Sequence, residues 1–268
     1  MFKPAFLLTI LLAASAAHAQ QAGPADADDN INPDRPDFVE SSAVVGKGRV
    51  QIETSMGYER SSRDGVRERQ TSTPTLLRFG ISDTAEFRVE TEGWLHNWRR
   101  GAGAGDSSDA TGMADTALGM KWRLREGKEG VPALGLLVDA VLPSGARRLS
   151  SGGVQPSLRG VAEWDLPDDF SLGVMPGLSS QRNDTGQRFT SGIFAASLGK
   201  EINPRVHAFV ELAAPQIARA RDGGSQLSFD VGAAYLVNKD VQVDAALFRG
   251  LNRNTPDLSI SVGISFRL

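Results

Sequence analysis

From Leu258 to the last residue, hydrophobic and polar positions alternate without a break. Leu258, Ile260, Val262, Ile264, Phe266 and Leu268 fall on one side, and Ser259, Ser261, Gly263, Ser265 and Arg267 on the other. A period of two marks a β-strand whose two faces meet different surroundings. The alternation recurs at Val50/Ile52/Thr54/Met56/Tyr58, at Phe87/Val89 against Glu86/Arg88/Glu90/Glu92, and at Leu118/Met120/Trp122/Leu124 against Lys121 and Arg123. Leu227/Phe229/Val231/Ala233/Tyr235 and Val241/Val243/Ala245/Leu247 repeat it. Twelve strands are predicted, near 49–60, 72–81, 85–95, 113–125, 131–142, 155–165, 170–180, 189–200, 205–214, 226–236, 241–249 and 258–268. Each has about the 9–11 residues that a tilted strand needs to cross hydrocarbon.

The connections alternate as well. Short ones hold Ser82-Asp83-Thr84, 126–130, 165–169, Asn203-Pro204 and Asn238-Lys239-Asp240; long ones hold 61–71, 96–112, 143–154, 181–188, 215–225 and 250–257. Tight periplasmic turns alternating with longer external loops are the habit of transmembrane barrels. The expected fold is therefore all-β, a transmembrane antiparallel up-and-down β-barrel of about 12 strands, with a soluble two-sheet sandwich as the competing architecture. Phe79, Phe87, Trp122, Trp164, Phe170, Tyr235 and Phe266 share the apolar register at the short-turn level, as an interfacial aromatic girdle would. Tyr58, Trp94 and Trp98 are candidates for the outer girdle.

Composition narrows the function. The 268 residues are 40% hydrophobic and 23% charged with a net charge of −3, which disfavours a nucleic-acid surface. The absence of cysteine removes thiol chemistry and the common zinc spacings. Lys3, the apolar run Ala5–Ala14 and Ala17-His18-Ala19 read as a secretory signal peptide over 1–19. Residues 20–48, polar and containing proline, are expected to be a periplasmic segment or a plug, and 49–268 the outer-membrane barrel.

Asp34-Arg35-Pro36-Asp37-Phe38-Val39-Glu40-Ser41, followed by Val45-Gly46-Lys47-Gly48-Arg49-Val50, resembles the opening of a Gram-negative outer-membrane transporter family, the MetA-pathway of phenol degradation family. The resemblance implies a barrel in the cell outer membrane that passes aromatic or other small hydrophobic compounds. The terminal strand also resembles an outer-membrane assembly signal read by the barrel-assembly machinery, ending in Leu268 where phenylalanine is commoner.

With apolar residues on lipid, the opposite register places Glu53, Glu59, Arg78, Glu86, Arg88, Glu90, Glu92, Asp115, Lys121, Arg123, Asp139, Arg159, Glu163, His207, Glu211, Asp230, Asp244 and Arg267 in the lumen. So many charges must pair or meet water. They form either a polar constriction that selects permeants or a salt-bridged filling of a closed barrel. Asp34, Arg35, Asp37 and Glu40 are the expected plug contacts. The predicted loops are rich in arginine (Arg60, Arg63, Arg67, Arg69, Arg99, Arg100, Arg147, Arg148, Arg182, Arg188, Arg219, Arg221, Arg253), a chemistry suited to lipopolysaccharide phosphates.

Catalysis has little to stand on. His96 and His207 are the histidines beyond the leader, no Gly-x-Ser-x-Gly elbow occurs, and Gly46-Lys47-Gly48 lacks the hydroxyl residue of a phosphate loop. The reading is a channel or transporter for small molecules, with no cofactor, metal or nucleic-acid partner expected. A closed structural or adhesive barrel and, more distantly, an outer-membrane hydrolase are the alternatives.

Overall fold

The computed structural model describes residues 29–268 except 102, 104, 105 and 184, so the expected leader lies outside the described residues. Fifteen strand segments follow the N-terminal stretch: β1 Val50–Arg63, β2 Val66–Ser72, β3 Thr75–Ser82, β4 Ala85–Thr91, β5 Trp94–Arg100, β6 Ser107–Met113, β7 Thr116–Arg125, β8 Ala133–Leu142, β9 Gln155–Leu166, β10 Phe170–Arg182, β11 Arg188–Asn203, β12 Val206–Ile217, β13 Ser228–Asn238, β14 Val241–Gly250 and β15 Leu258–Arg267. Every pairing is antiparallel, and β15 returns to β1, with Ile52 opposite Phe266 and Met56 opposite Val262, so the sheet closes on itself.

The fifteen segments make twelve staves. β2 and β3 both pair with β1, one along Gly57–Arg63 and the other along Val50–Thr54, so they are two halves of one strand. The same holds for β4 with β5 and for β6 with β7. The breaks lie side by side at Thr73-Pro74, Glu92-Gly93 and Ala114-Asp115. Pro74 has no N–H to give to a ladder, and Gly93 takes φ 67°, a left-handed value that suits glycine. Hydrogen bonds from Thr73 N to Glu92 O (3.1 Å) and from Ala114 N to Gly93 O (2.8 Å) hold the wall together across the breaks.

The register inverts the usual distribution of polarity. Met56, Leu178 and Val262 are more than half exposed, whereas Arg78, Glu86 and Lys121 have no exposed surface at all. Closing the sheet pairs the edge strands, so apolar side chains can face lipid while the backbone stays satisfied. Phe79 and Phe87 are cross-strand partners with ring centroids 6.3 Å apart, at the end where the short turns lie.

Two predicted loops are corrected. Most of 61–71 and 96–112 is strand: β1 runs on to Arg63, turns at Asp64-Gly65 (φ 49° and 80°) and returns as β2, and β5 and β6 form the neighbouring hairpin. These extensions carry arginine, serine, glutamate and aspartate on both faces. Beyond hydrocarbon both faces meet water, so the sequence loses the period-two contrast from which a strand is read.

Candidate functional site

The interior is organised around residues 31–48, which contact side chains projecting inward from nearly every part of the wall. Asp34 is the hub. Its carboxylate lies 2.5 Å from Arg88 Nη1, 2.7 Å from Lys121 Nζ and 3.4 Å from Arg78 Nη1. Its own N–H donates to Glu53 (2.9 Å), and Ser41 N donates back to it (2.9 Å). Burial alone would push the Asp34 carboxyl up; Arg78, Lys121 and Arg88 overcome it and hold the group below the ordinary carboxylate range.

Arg78 spends its guanidinium on both partners at once. Nε and Nη2 grip Glu86 (2.8 and 3.1 Å), Nη1 reaches Glu53 (3.0 Å) and Asn32 O (2.9 Å), and Nη2 also donates to Ala43 O (2.9 Å). Glu86 in turn accepts Val45 N–H (2.9 Å). Glu40 meets Arg88 Nη2 at 2.6 Å and also pairs with Arg159, which holds Asp139 at 2.7 Å. Burial again opposes ionisation, and Arg159 and Arg88 keep the Glu40 carboxyl below its usual value. In so dry a setting the network is favourable only because its charges are paired.

The segment is pinned elsewhere too. Phe38 and Val39 N–H groups both donate to Glu211 of β12 (2.8 Å each), Ser42 N donates to Glu163 (2.6 Å), and Arg35 Nη2 reaches Asp244 (3.0 Å) and Ser261 Oγ (2.8 Å). Asp37 behaves differently. It is bonded to Ser197, and burial together with Glu211 and then Glu163 raises its carboxyl well above the ordinary range.

Part of the lumen wall is apolar, which the sequence reading missed. Leu137, Val161, Met175, Ala195 and Ala213, one from each of β8 to β12, pack with Val39 into a buried cluster that Phe38 flanks. Small residues make room for the segment: a Cβ added at Gly173 would meet Val39 Cγ1 at 2.9 Å, and one at Gly135 would meet Ser42 Cα at 3.0 Å. The available signal is the run Ala133–Leu142, apolar on both faces except for Asp139, which an open polar lumen would not require.

Above the segment lie three cavities that share lining residues. One of about 350 Å³ sits on the segment itself, between Arg35, Phe38, Glu59, Leu76, Glu90 and Glu92. A second of about 600 Å³ shares Glu90 and Glu92 with it and adds Leu95, Ala117, Val141 and Leu149. A third of about 370 Å³, between Glu59, Glu68, Asn97, Arg99 and Arg148, shares Asn97, Arg148 and Leu149 with the second. Together they occupy the half of the barrel that carries the long connections.

The remaining predicted lumen residues fall in several places. Asp230 is buried beside Glu211, its cross-strand partner. Arg123 is at the short-turn rim, donating to Asp83 O (2.7 Å) and pairing with Glu126 (3.4 Å), and Arg267 at the same rim pairs with Asp240 (2.7 Å). His207 lies across from Glu201 near the same end. Asp115 borders the second cavity but its carboxylate is spent on Gly145 N, Ser151 N and Ser151 Oγ, tying down the loop 143–154. His96 is on the outer face, bonded to Asp109 at 3.0 Å. Among the described residues no group of three histidines or carboxylates is placed to hold a metal ion.

A family model described as "Putative MetA-pathway of phenol degradation" matches residues 33–268. Solved structures share the architecture at low identity. The COG4313 outer membrane channel from Pseudomonas putida F1 superposes with a TM-score of 0.61 at 13% identity, covering 87% of this chain and 99% of that one. The beta domain of the Bordetella autotransporter BrkA gives 0.52 at 13% identity (81% and 98%), and the KdgM porin in complex with disordered oligogalacturonate gives 0.50 at 8% (81% and 98%). No curated protein matches the chain.

Proposed function

This chain belongs to the MetA-pathway of phenol degradation family, and from that premise we propose that it is an outer-membrane channel for small molecules, whose own N-terminal segment closes the lumen. The observation that carries the reading is the set of three cavities that share lining residues, one of them seated on residues 34–40. Their volumes fall within the ~300–1,000 Å³ typical of small-molecule sites.

The lining favours a small aromatic or amphipathic permeant. Leu95, Val141, Leu149 and Ala117 offer an apolar side in the middle cavity, and Leu76, Phe38 and Phe248 do so in the lower one, while Glu59, Glu90 and Glu92 supply polar groups opposite. A phenol or similar compound has both surfaces to satisfy. The similarity to a COG4313 channel and a porin accords with a conduit rather than an enzyme. So does the separation of His96, on the outer face, from His207, near the short-turn rim.

Movement of the segment is the step that would open the route, because its ion pairs reach β3, β4, β7, β9 and β14 and the Asp34 N–H donates to Glu53 of β1. The test is flux of a small phenolic solute into liposomes carrying the mature protein, compared with a sugar of similar size. Preferential phenol entry that increases when residues 31–48 are removed supports the proposal. Equal exclusion of both solutes by folded protein with and without the segment would overturn it.

A further inference from the structure

Four arginines stand in two opposed pairs on the outer face of the external extension. Arg60 of β1 faces Arg69 of β2, and Arg67 of β2 faces Arg100 of β5. All four are exposed, and none has an ion-pair partner among the described residues. By contrast Arg63 pairs with Asp257, Arg99 with Glu68 and Arg253 with Asp64. Like charges directly opposite one another destabilise a sheet, so two adjacent pairs call for an anion.

Their register is the one that faces lipid. Tyr58 and exposed Met56 precede Arg60 on that face of β1, and exposed Trp94 stands opposite exposed Met113 on β5 and β6. At about 3.4 Å per residue, Arg60 and Arg69 sit roughly 7 Å beyond Tyr58, and Arg67 and Arg100 roughly 7 Å further. Trp98 lies in the first arginine row, with the Arg69 guanidinium 5.3 Å from its ring centre. Among the described residues the carboxylate flanking this row is Asp109, opposite Trp98 and bonded to His96.

We propose that this patch binds a phosphorylated glycolipid of the outer leaflet, lipopolysaccharide. The phosphates sit on Arg60, Arg67, Arg69 and Arg100, whose guanidinium forks match phosphate oxygens in pairs. The acyl chains lie against Met56, Trp94 and Met113, and the Trp98 ring supports a sugar. A free phosphate ion would use the arginines alone; a ligand with phosphates above a tail uses the apolar row as well. The proposal rests on the outer-membrane placement argued above.

The test uses the full mature chain in detergent, with native mass spectrometry after addition of bisphosphorylated lipid A, dephosphorylated lipid A or inorganic phosphate. The expected result is retention of bisphosphorylated lipid A, weakened roughly tenfold or more in R60S/R69S and in R67S/R100S. Arg253→Ser, which removes an arginine already paired, leaves retention unchanged, and lysine at the four positions restores part of it. Heat-modifiable gel mobility establishes that each variant is folded. Equal retention by R60S/R67S/R69S/R100S, retention of the dephosphorylated lipid as strong as of its parent, or phosphate binding alone would overturn the proposal. Single-channel conductance of R67S/R100S, whose residues line none of the three cavities, stays at the wild-type level, so failure of the channel reading registers separately.

Discussion

Lys121 Nζ lies 2.7 Å from each carboxylate oxygen of Asp34, across 87 positions of chain, with both side chains closed off from water. Arg88 and Arg78 share the same carboxylate. Removing it leaves Arg78 and Arg88 their glutamates but Lys121 no carboxylate nearer than 3.9 Å, and breaking a buried pair this way typically costs ~3–5 kcal/mol. Asp34→Asn is therefore expected to loosen the segment, seen as raised single-channel conductance and faster proteolysis within 31–48, with the barrel still heat-modifiable on gels.

Glu211 makes a narrower prediction. It accepts the N–H groups of Phe38 and Val39 together. Glutamine at 211 keeps the shape but offers only one accepting oxygen. One buried N–H loses its partner, a cost of ~1–3 kcal/mol. Protease access to the segment should rise in Glu211→Gln, by less than in Asp34→Asn.

The pH dependence has two opposing contributions. Asp34 is held below its ordinary value of 3.8, so its stabilisation is complete above that pH and is lost as pH falls through the lowered value. Asp37, raised by burial and by Glu211, contributes fully below 3.8 and loses that contribution as pH rises through its raised value. Channel opening in the wild type should accordingly increase on the alkaline side. In Asp37→Asn, which cannot ionise, conductance against pH should show a smaller alkaline rise and an unchanged acid one.

The outer face supplies a prediction independent of the segment. Val262 is 58% exposed on the lipid side, opposite Met56. Val262→Lys places a charge against hydrocarbon, at ~2–4 kcal/mol near the midplane. Folding yield into lipid vesicles should fall, whereas Ser259→Lys, in the opposite register, should fold as the wild type does.

How much of this was legible depended on contrast between two faces. Leu258–Leu268 and Val50–Tyr58 alternate because one face meets lipid and the other the lumen, and those strands and the closure between them were readable. Residues 61–71 and 96–112 lie mostly where water meets both faces, so strand there could not be told from loop. Asp34 and Glu40 were legible as charges that needed partners, but which cations they meet depends on where the chain enters the barrel. The apolar lumen around Leu137 and Met175 left one local mark, the run Ala133–Leu142 apolar on both faces, but what it packs, Phe38 and Val39, is a long-range match that the run does not record.

The central claim is that residues 31–48 close a route that the barrel otherwise provides. Single-channel conductance in a planar bilayer tests it most directly, comparing the intact mature protein with a form lacking 20–48. The account predicts small or brief conductance from the intact protein and sustained, larger conductance after deletion. Equal conductance in the two folded proteins would contradict it.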